Sequence, residues 1–231
     1  MSTVVAKALC LHAAAEDLKF LNPVRNRMAK LLGNRFRGFC FGDQSSVNDA
    51  RIALTRSEGS LIVIFAHGGS DYVRGGEYVH RVTREVIEAK KFLTLEDMNL
   101  FRGNAVFCMS CDSNGLASTS LAAGAKAFVG FNEIPFNRYD ARGKLVTNRE
   151  FEQHAQKLLA NATKCCIERF LSGQMTLEES VGFLRLCVCQ HAVQFVRRFP
   201  SLKPRREIAA LLLRMKEGVR YYGEADVRFV G

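Results

Sequence analysis

Residues 60–69 read SLIVIFAHGG: an uncharged, β-branched, apolar run from Ser60 to Ala66 that ends in His67, Gly68 and Gly69. Apolar residues at successive positions leave neither face for water, so this run reads as a strand buried on both sides. Working outward, Val4 to Leu11, Phe36 to Phe41, Asn104 to Met109 (NAVFCM) and Lys126 to Phe131 (KAFVGF) read as further strands. Between them Ala15 to Leu32, Ser45 to Arg56 and Leu116 to Ala123 read as helices. Gly33 stops the first of these, and Pro23 breaks or delays its start. Strand–helix–strand units of this kind predict an α/β fold, a mostly parallel central sheet flanked by helices. Such sheets carry ligand and catalytic sites at the carboxyl ends of their strands.

Two segments depart from that rhythm. Ser70 to Arg102 is long, charged and interrupted by Gly75 and Gly76, which predicts an excursion between two strands. Within it Thr94 and Asp97 approximate a capping box ahead of a helix. After Asn137 the pattern is helical, over Arg149–Leu171, Thr176–Phe199 and Pro204–Glu217, with Thr176 as a second cap. Val219 to Val230 then reads as an edge strand or an extended tail. The expected organisation is one domain over 1–231, with a sheet-forming part over 1–136 and a mainly helical part over 137–231.

The chain has 231 residues, 48% hydrophobic and 24% charged, which excludes wholesale disorder and allows a core of ordinary proportions. No apolar run approaches the roughly 20 residues a bilayer span needs. The first residues, MSTVVAK, have no cationic stretch ahead of a long apolar one, so no secretory signal is expected. Eight cysteines are then expected as reduced thiols in a cytoplasmic protein. The net charge of +10 raises nucleic acid as a ligand, but the aromatics beside the basic runs, Phe36, Phe39 and Phe199, are expected to point into the core rather than to line a nucleic-acid groove. Nucleic acid is not expected as a direct ligand; a solvated or partner-facing surface is. Cys165, Cys166, Cys187 and Cys189 have the wrong spacing for zinc, and no metal or other cofactor is expected.

The candidate chemistry lies at two strand ends. His67 follows SLIVIFA directly, and Cys111 holds the equivalent place after NAVFCM, in Cys108-Met109-Ser110-Cys111-Asp112-Ser113. A thiol and an imidazole at the ends of two strands of one sheet form a workable nucleophile and acid–base pair. Taken singly, a histidine after a strand is usually a polar loop residue and a cysteine usually a small apolar one. The case rests on their joint placement. Cys108 sits inside the strand, and alternation turns it away from Cys111.

These stretches, LIVIFAHGG (61–69), LTLEDMNLFRGNAVFCMSCD (93–112) and LAAGAKAFVG (121–130), resemble the caspase-like cysteine peptidases, and most of all the CHAT subgroup related to separase. Met109 and Ser110 stand where that subgroup usually has serine and alanine, and its frequent later tryptophan is absent, with Asn132, Glu133 and Ile134 in that region. The resemblance implies a caspase-like three-layer sandwich and an endopeptidase in which Cys111 attacks the scissile carbonyl and His67 carries the proton. It implies an oxyanion hole from the amides of Gly68 and Cys111, and no third catalytic residue is nominated. Asp112, Asn132 and Glu133 are the candidate substrate-binding residues, and Asp112, Glu133 and Asp140 the candidate pocket carboxylates. It further implies a protein substrate, an activating protein partner with gating over Ser70–Lys91, and by analogy a defence setting. The alternative is a catalytically silent scaffold of the same fold that binds a partner; a nucleic-acid module rests on charge alone.

Overall fold

The computed structural model describes residues 3–79, 86–88, 91–132, 134, 149–202 and 205–230, with backbone alone at 77–79, 86–88 and 149–152. In chain order, β1 (Thr3–Val5) and β2 (Lys7–Ala13) lead through a 3-10 turn at Glu16–Leu21 into α1 (Asn22–Leu32). Then come β3 (Phe36–Phe41), α2 (Gln44–Thr55) and β4 (Ser60–Phe65). The excursion holds four short strands, β5 (Tyr72–Arg74), β6 (Glu77–Val79), β7 (Val86–Glu88) and β8 (Lys91–Thr94), and a 3-10 helix at Leu95–Phe101. β9 (Ala105–Met109), a 3-10 turn at Ser113–Leu116, α3 (Ala117–Ala122) and β10 (Ala127–Gly130) follow. The C-terminal part contains α4 (Arg149–Leu171), α5 (Leu177–Arg198), α6 (Arg205–Gly218), β11 (Arg220–Gly223) and β12 (Val227–Phe229).

Six strands form the central sheet in the order β11-β10-β9-β4-β2-β3. All neighbours pair parallel except β11, which runs antiparallel to β10 at the edge. This is the expected α/β class, a mostly parallel sheet with helices packed on it, in keeping with a caspase-like three-layer sandwich. Leu61 to Phe65 and Ala105 to Met109 are 0–1% exposed, as continuous apolar runs in a helix-covered sheet require. The two central strands end level, because Phe65 pairs with Met109 and the Ala66 amide donates to the Met109 carbonyl at 3.4 Å. At their other end the Asn104 side chain accepts from the Ser60 amide at 3.0 Å.

The first helix starts later than its periodicity alone indicates. Pro23 stands in the first turn of α1, where its missing N–H costs nothing, and residues 16–21 form the tighter 3-10 turn instead. α1 buries Val24, Met28 and Leu32 on one stripe, and Arg27 forms an ion pair with Glu168 of α4. The Thr94–Asp97 and Thr176–Glu179 capping boxes both form. The tail reads out as both an edge strand, β11, and a short strand, β12, that pairs parallel with β1. The C-terminal part therefore contributes to the sheet as well as to the helices.

The excursion is tied down at its base. Phe92 stacks on Phe41 with centroids 4.3 Å apart, and Arg51 of α2 donates to the Phe92 carbonyl at 2.7 Å and pairs with Asp97 at 2.5 Å. Gly76 lies so close to the ends of β2 and β3 that an added Cβ would be 2.6 Å from the Ala14 nitrogen. Of the segment where gating is expected, 80–85 and 89–90 lie outside the described residues, as does Asp140.

Candidate active site

Because β4 and β9 end level, His67 and Cys111 each stand two residues beyond a paired position, Phe65 and Met109. Adjacent strands in a sheet are about 4.8 Å apart, so the two side chains issue from neighbouring points on one rim. Both line a single narrow cleft of about 50 Å³ together with Asp17, Leu18, Phe20, Leu21, Ala66, Met109 and Ile134.

Backbone bonds fix the histidine turn. Gly69 N–H donates to the Tyr72 carbonyl at 3.0 Å, and Arg74 N–H donates to the His67 carbonyl at 2.8 Å. That small antiparallel bridge commits the amides on either side of Gly68, whose own N–H has no acceptor among the described residues. Gly68 also has to be glycine: a Cβ there would overlap the Ser110 hydroxyl and sit 2.7 Å from the Tyr72 carbonyl. Ser110 Oγ is fully buried and has no hydrogen-bond partner among the described residues. Ser110 thus presses against the His-Gly turn without gaining a bond among the described residues.

The cysteine turn is fixed just as closely. Ser113 Oγ donates to the Cys108 carbonyl at 2.8 Å and accepts from the Phe131 amide at 3.0 Å, linking the ends of β9 and β10. Asp112 has φ +53°, a left-handed conformation that asparagine and aspartate tolerate better than most residues. Cys111 itself is partly buried, and the Ile134 amide donates to its sulfur at 3.5 Å while the Ile134 carbonyl lies 3.9 Å away. The sulfur can therefore donate as a thiol and be held as a thiolate by the same residue. Cys108, by contrast, is fully buried, and burial pushes its thiol up to about 12. It is no nucleophile at neutral pH.

Asp17 is the residue that sequence reasoning missed. Its Oδ1 lies 3.1 Å from His67 Nε2, fifty positions away in sequence. An Nε2–H donated to this carboxylate leaves Nδ1 as the basic nitrogen of a neutral ring. Partial burial raises the Asp17 carboxyl, but the hydrogen bond and charge of His67, with help from Arg74, outweigh it and hold the group below its usual range. Asp17 sits just past the carboxyl end of β2, the strand beside β4. The rule that sites gather at such ends, applied to the first strand as well, points to it. His12 holds this turn from beneath: its Nε2 lies 3.1 Å from the Leu18 carbonyl, and burial drives the ring's pKa down to about 4.

The expected substrate residues fare differently. Asp112 is exposed and does not line the cleft. Asn132 is also outside it; its amide donates to the Gly218 carbonyl at 3.0 Å and its side chain accepts from Asn114 at 2.5 Å, which ties β10 to the end of α6. Glu133 lies outside the described residues. Among the described residues, the carboxylate that lines the cleft is Asp17. Again among the described residues, no three His, Cys, Asp or Glu side chains are grouped to hold a metal, and no helix is long and apolar enough to cross a membrane. No family model and no curated protein matches this chain.

Proposed function

We propose that the protein is a caspase-like cysteine endopeptidase of the CHAT type, with Cys111 as nucleophile and His67 as acid–base. One observation carries the reading: His67 and Cys111 stand at equivalent points beyond two level, adjacent, parallel strands and line one cleft, with a carboxylate bonded to the far nitrogen of the imidazole. In the proposed reaction His67 Nδ1 takes the Cys111 proton and the sulfur adds to the scissile carbonyl. The oxyanion is held by the amides of Gly68 and Cys111, donors of a kind that contribute roughly 3–4 kcal/mol. Collapse expels the amine, which takes the proton from His67, and water delivered by the same base releases the acid and the thiol. Asp17 acts through His67, as a positioning residue that favours the Nε2–H form and steadies the imidazolium.

The substrate in this reading is a protein, the activator an external protein partner, and the compartment the reducing cytoplasm, which suits eight cysteines without a disulfide among them. A role in defence is the setting the resemblance brings. The test is covalent labelling. A peptidyl acyloxymethyl ketone should add one mass to the chain at Cys111, and labelling should vanish in Cys111→Ala and fall in His67→Ala. If the probe labels His67→Ala as fast as the wild type, the thiol is unassisted and the silent-scaffold alternative takes its place.

A further inference from the structure

The helical hairpin of α4 and α5 carries a second cavity that shares no residue with the cleft. α4 contributes His154, Lys157, Leu158 and Asn161, and α5 contributes His191, Gln194, Phe195, Arg198 and, just past its end, Phe199. On each helix these fall at i, i+3, i+4 and i+7, so each set is one stripe. Such a stripe between two packed helices is ordinarily apolar. Nearer the hairpin turn it is: Leu184 and Cys187 are buried on α5, and Ala162 and Cys166 on α4. Towards the open end it turns cationic and amidic, and a cavity of about 270 Å³ replaces close packing.

The chemistry of the lining is selective. Lys157 and Arg198 are the basic side chains of the lining, no carboxylate lines the cavity among the described residues, and Lys157 has no ion-pair partner among them. An aromatic wall stands beside the cations. His154 lies 5.1 Å from Phe195 and 5.7 Å from Phe199, the two phenylalanines are 5.0 Å apart, and Phe199, which sequence places in the core, instead keeps 38% of its surface exposed because it follows the last turn of α5. Asn161 and Gln194 offer amides, which match the donor and acceptor edge of a purine. His191 Nδ1 faces the Leu158 carbonyl at 3.4 Å, which leaves its other nitrogen for a ligand. The enclosed volume, about 270 Å³, lies just under the roughly 300 Å³ at which small-molecule sites begin.

We propose that this cavity binds a purine nucleoside polyphosphate, its base against Phe199 and the amides and its phosphates between Lys157 and Arg198. A flat ring alone leaves the cations unused, and a bare polyanion leaves the aromatic wall unused; a nucleotide uses both. The length of the cavity, one face of two helical turns on each side, suits a single nucleotide rather than a strand.

The experiment is isothermal titration of the full chain with ATP, adenosine, inorganic tripolyphosphate and a single-stranded oligonucleotide. Expected are saturable 1:1 binding of ATP, binding at least about tenfold weaker for adenosine and for tripolyphosphate, and a loss of about tenfold or more in Lys157→Gln and in Arg198→Gln. Both side chains are exposed and the glutamines keep much of the stem, so thermal melts of the unliganded variants should match the wild type. ATP should raise the melting temperature of the wild type and not of the variants. Cys111→Ala should bind ATP like the wild type, which separates this site from the peptidase reading. No heat with ATP at millimolar concentration overturns the proposal, as do variants that bind unchanged. Equal affinity for tripolyphosphate reduces the site to charge, and tighter binding of the oligonucleotide makes it a nucleic-acid groove; either result also overturns it.

Discussion

Replacing Gly68 by alanine tests whether the His-Gly turn and the cysteine strand are packed as tightly as the geometry states. The added Cβ would overlap the Ser110 hydroxyl and lie 2.7 Å from the Tyr72 carbonyl, where ordinary contact begins at 3.4 Å. Alanine at an unstrained position would gain about 0.4–1 kcal/mol from the unfolded chain. Overpacking typically costs about 1–3 kcal/mol, and two contacts this close put Gly68→Ala toward the upper part of that range. The net expectation is a loss of about 2 kcal/mol, or roughly 4–8 °C in melting temperature for a chain of this size. The closer of the two overlaps is with a side chain and the other is with backbone. Ser110→Ala removes the first and a buried hydroxyl without a partner, so alone it should be neutral or slightly stabilising. In the double variant it should restore about 1 kcal/mol, while the Tyr72 contact keeps the rest of the loss. Urea denaturation of the four proteins gives the cycle directly. A Gly68→Ala protein as stable as the wild type, or a cycle with no coupling between the two sites, would refute the packing argument.

Further expectations follow from the same geometry. In the proposed peptidase reaction Asp17→Asn should lower kcat by about tenfold or more on every peptide tested, because the amide no longer favours the Nε2–H ring; a loss confined to peptides with lysine or arginine before the scissile bond would make Asp17 a pocket carboxylate instead. In native protein at pH 7.5, iodoacetamide should modify Cys111 and leave Cys10 and Cys108 intact, since burial holds both of those thiols at about 12; peptide mapping by mass spectrometry reads this out. His12, lowered to about 4 in the fold, stays neutral there while the unfolded chain binds a proton near 6.5, so its contribution is complete above about pH 6.5 and lost as pH falls towards 4. That amounts to roughly 3 kcal/mol at full titration, and urea melts of His12→Gln should lack this part of the acid-side slope. Asp112→Gly should melt at or above the wild type and Asp112→Val about 1–3 kcal/mol below it, because the position needs a left-handed backbone.

The sequence alone determined the sheet and the two strand-end residues, for a local reason. A run such as SLIVIFA has one stable home, a strand covered on both faces, and the residue after it has to emerge at the sheet's rim. His67 and Cys111 are legible because each follows such a run. The caps at Thr94 and Thr176 are legible because three residues of sequence contain the whole motif. Tertiary structure decided what depends on register and on long loops. That Phe65 pairs with Met109, so that the two strands end level, follows from interstrand hydrogen bonds that composition does not record. Asp17 reaches His67 only because β2 lies beside β4 and Pro23 delays α1, which leaves residues 16–21 in a 3-10 turn over the cleft. Ile134 meets the Cys111 sulfur through its backbone, whose donors look the same in every residue. The cationic cavity between α4 and α5 was hidden for a related reason. Its residues form two ordinary polar stripes in sequence, and they become one site only when the hairpin brings His154 against Phe195.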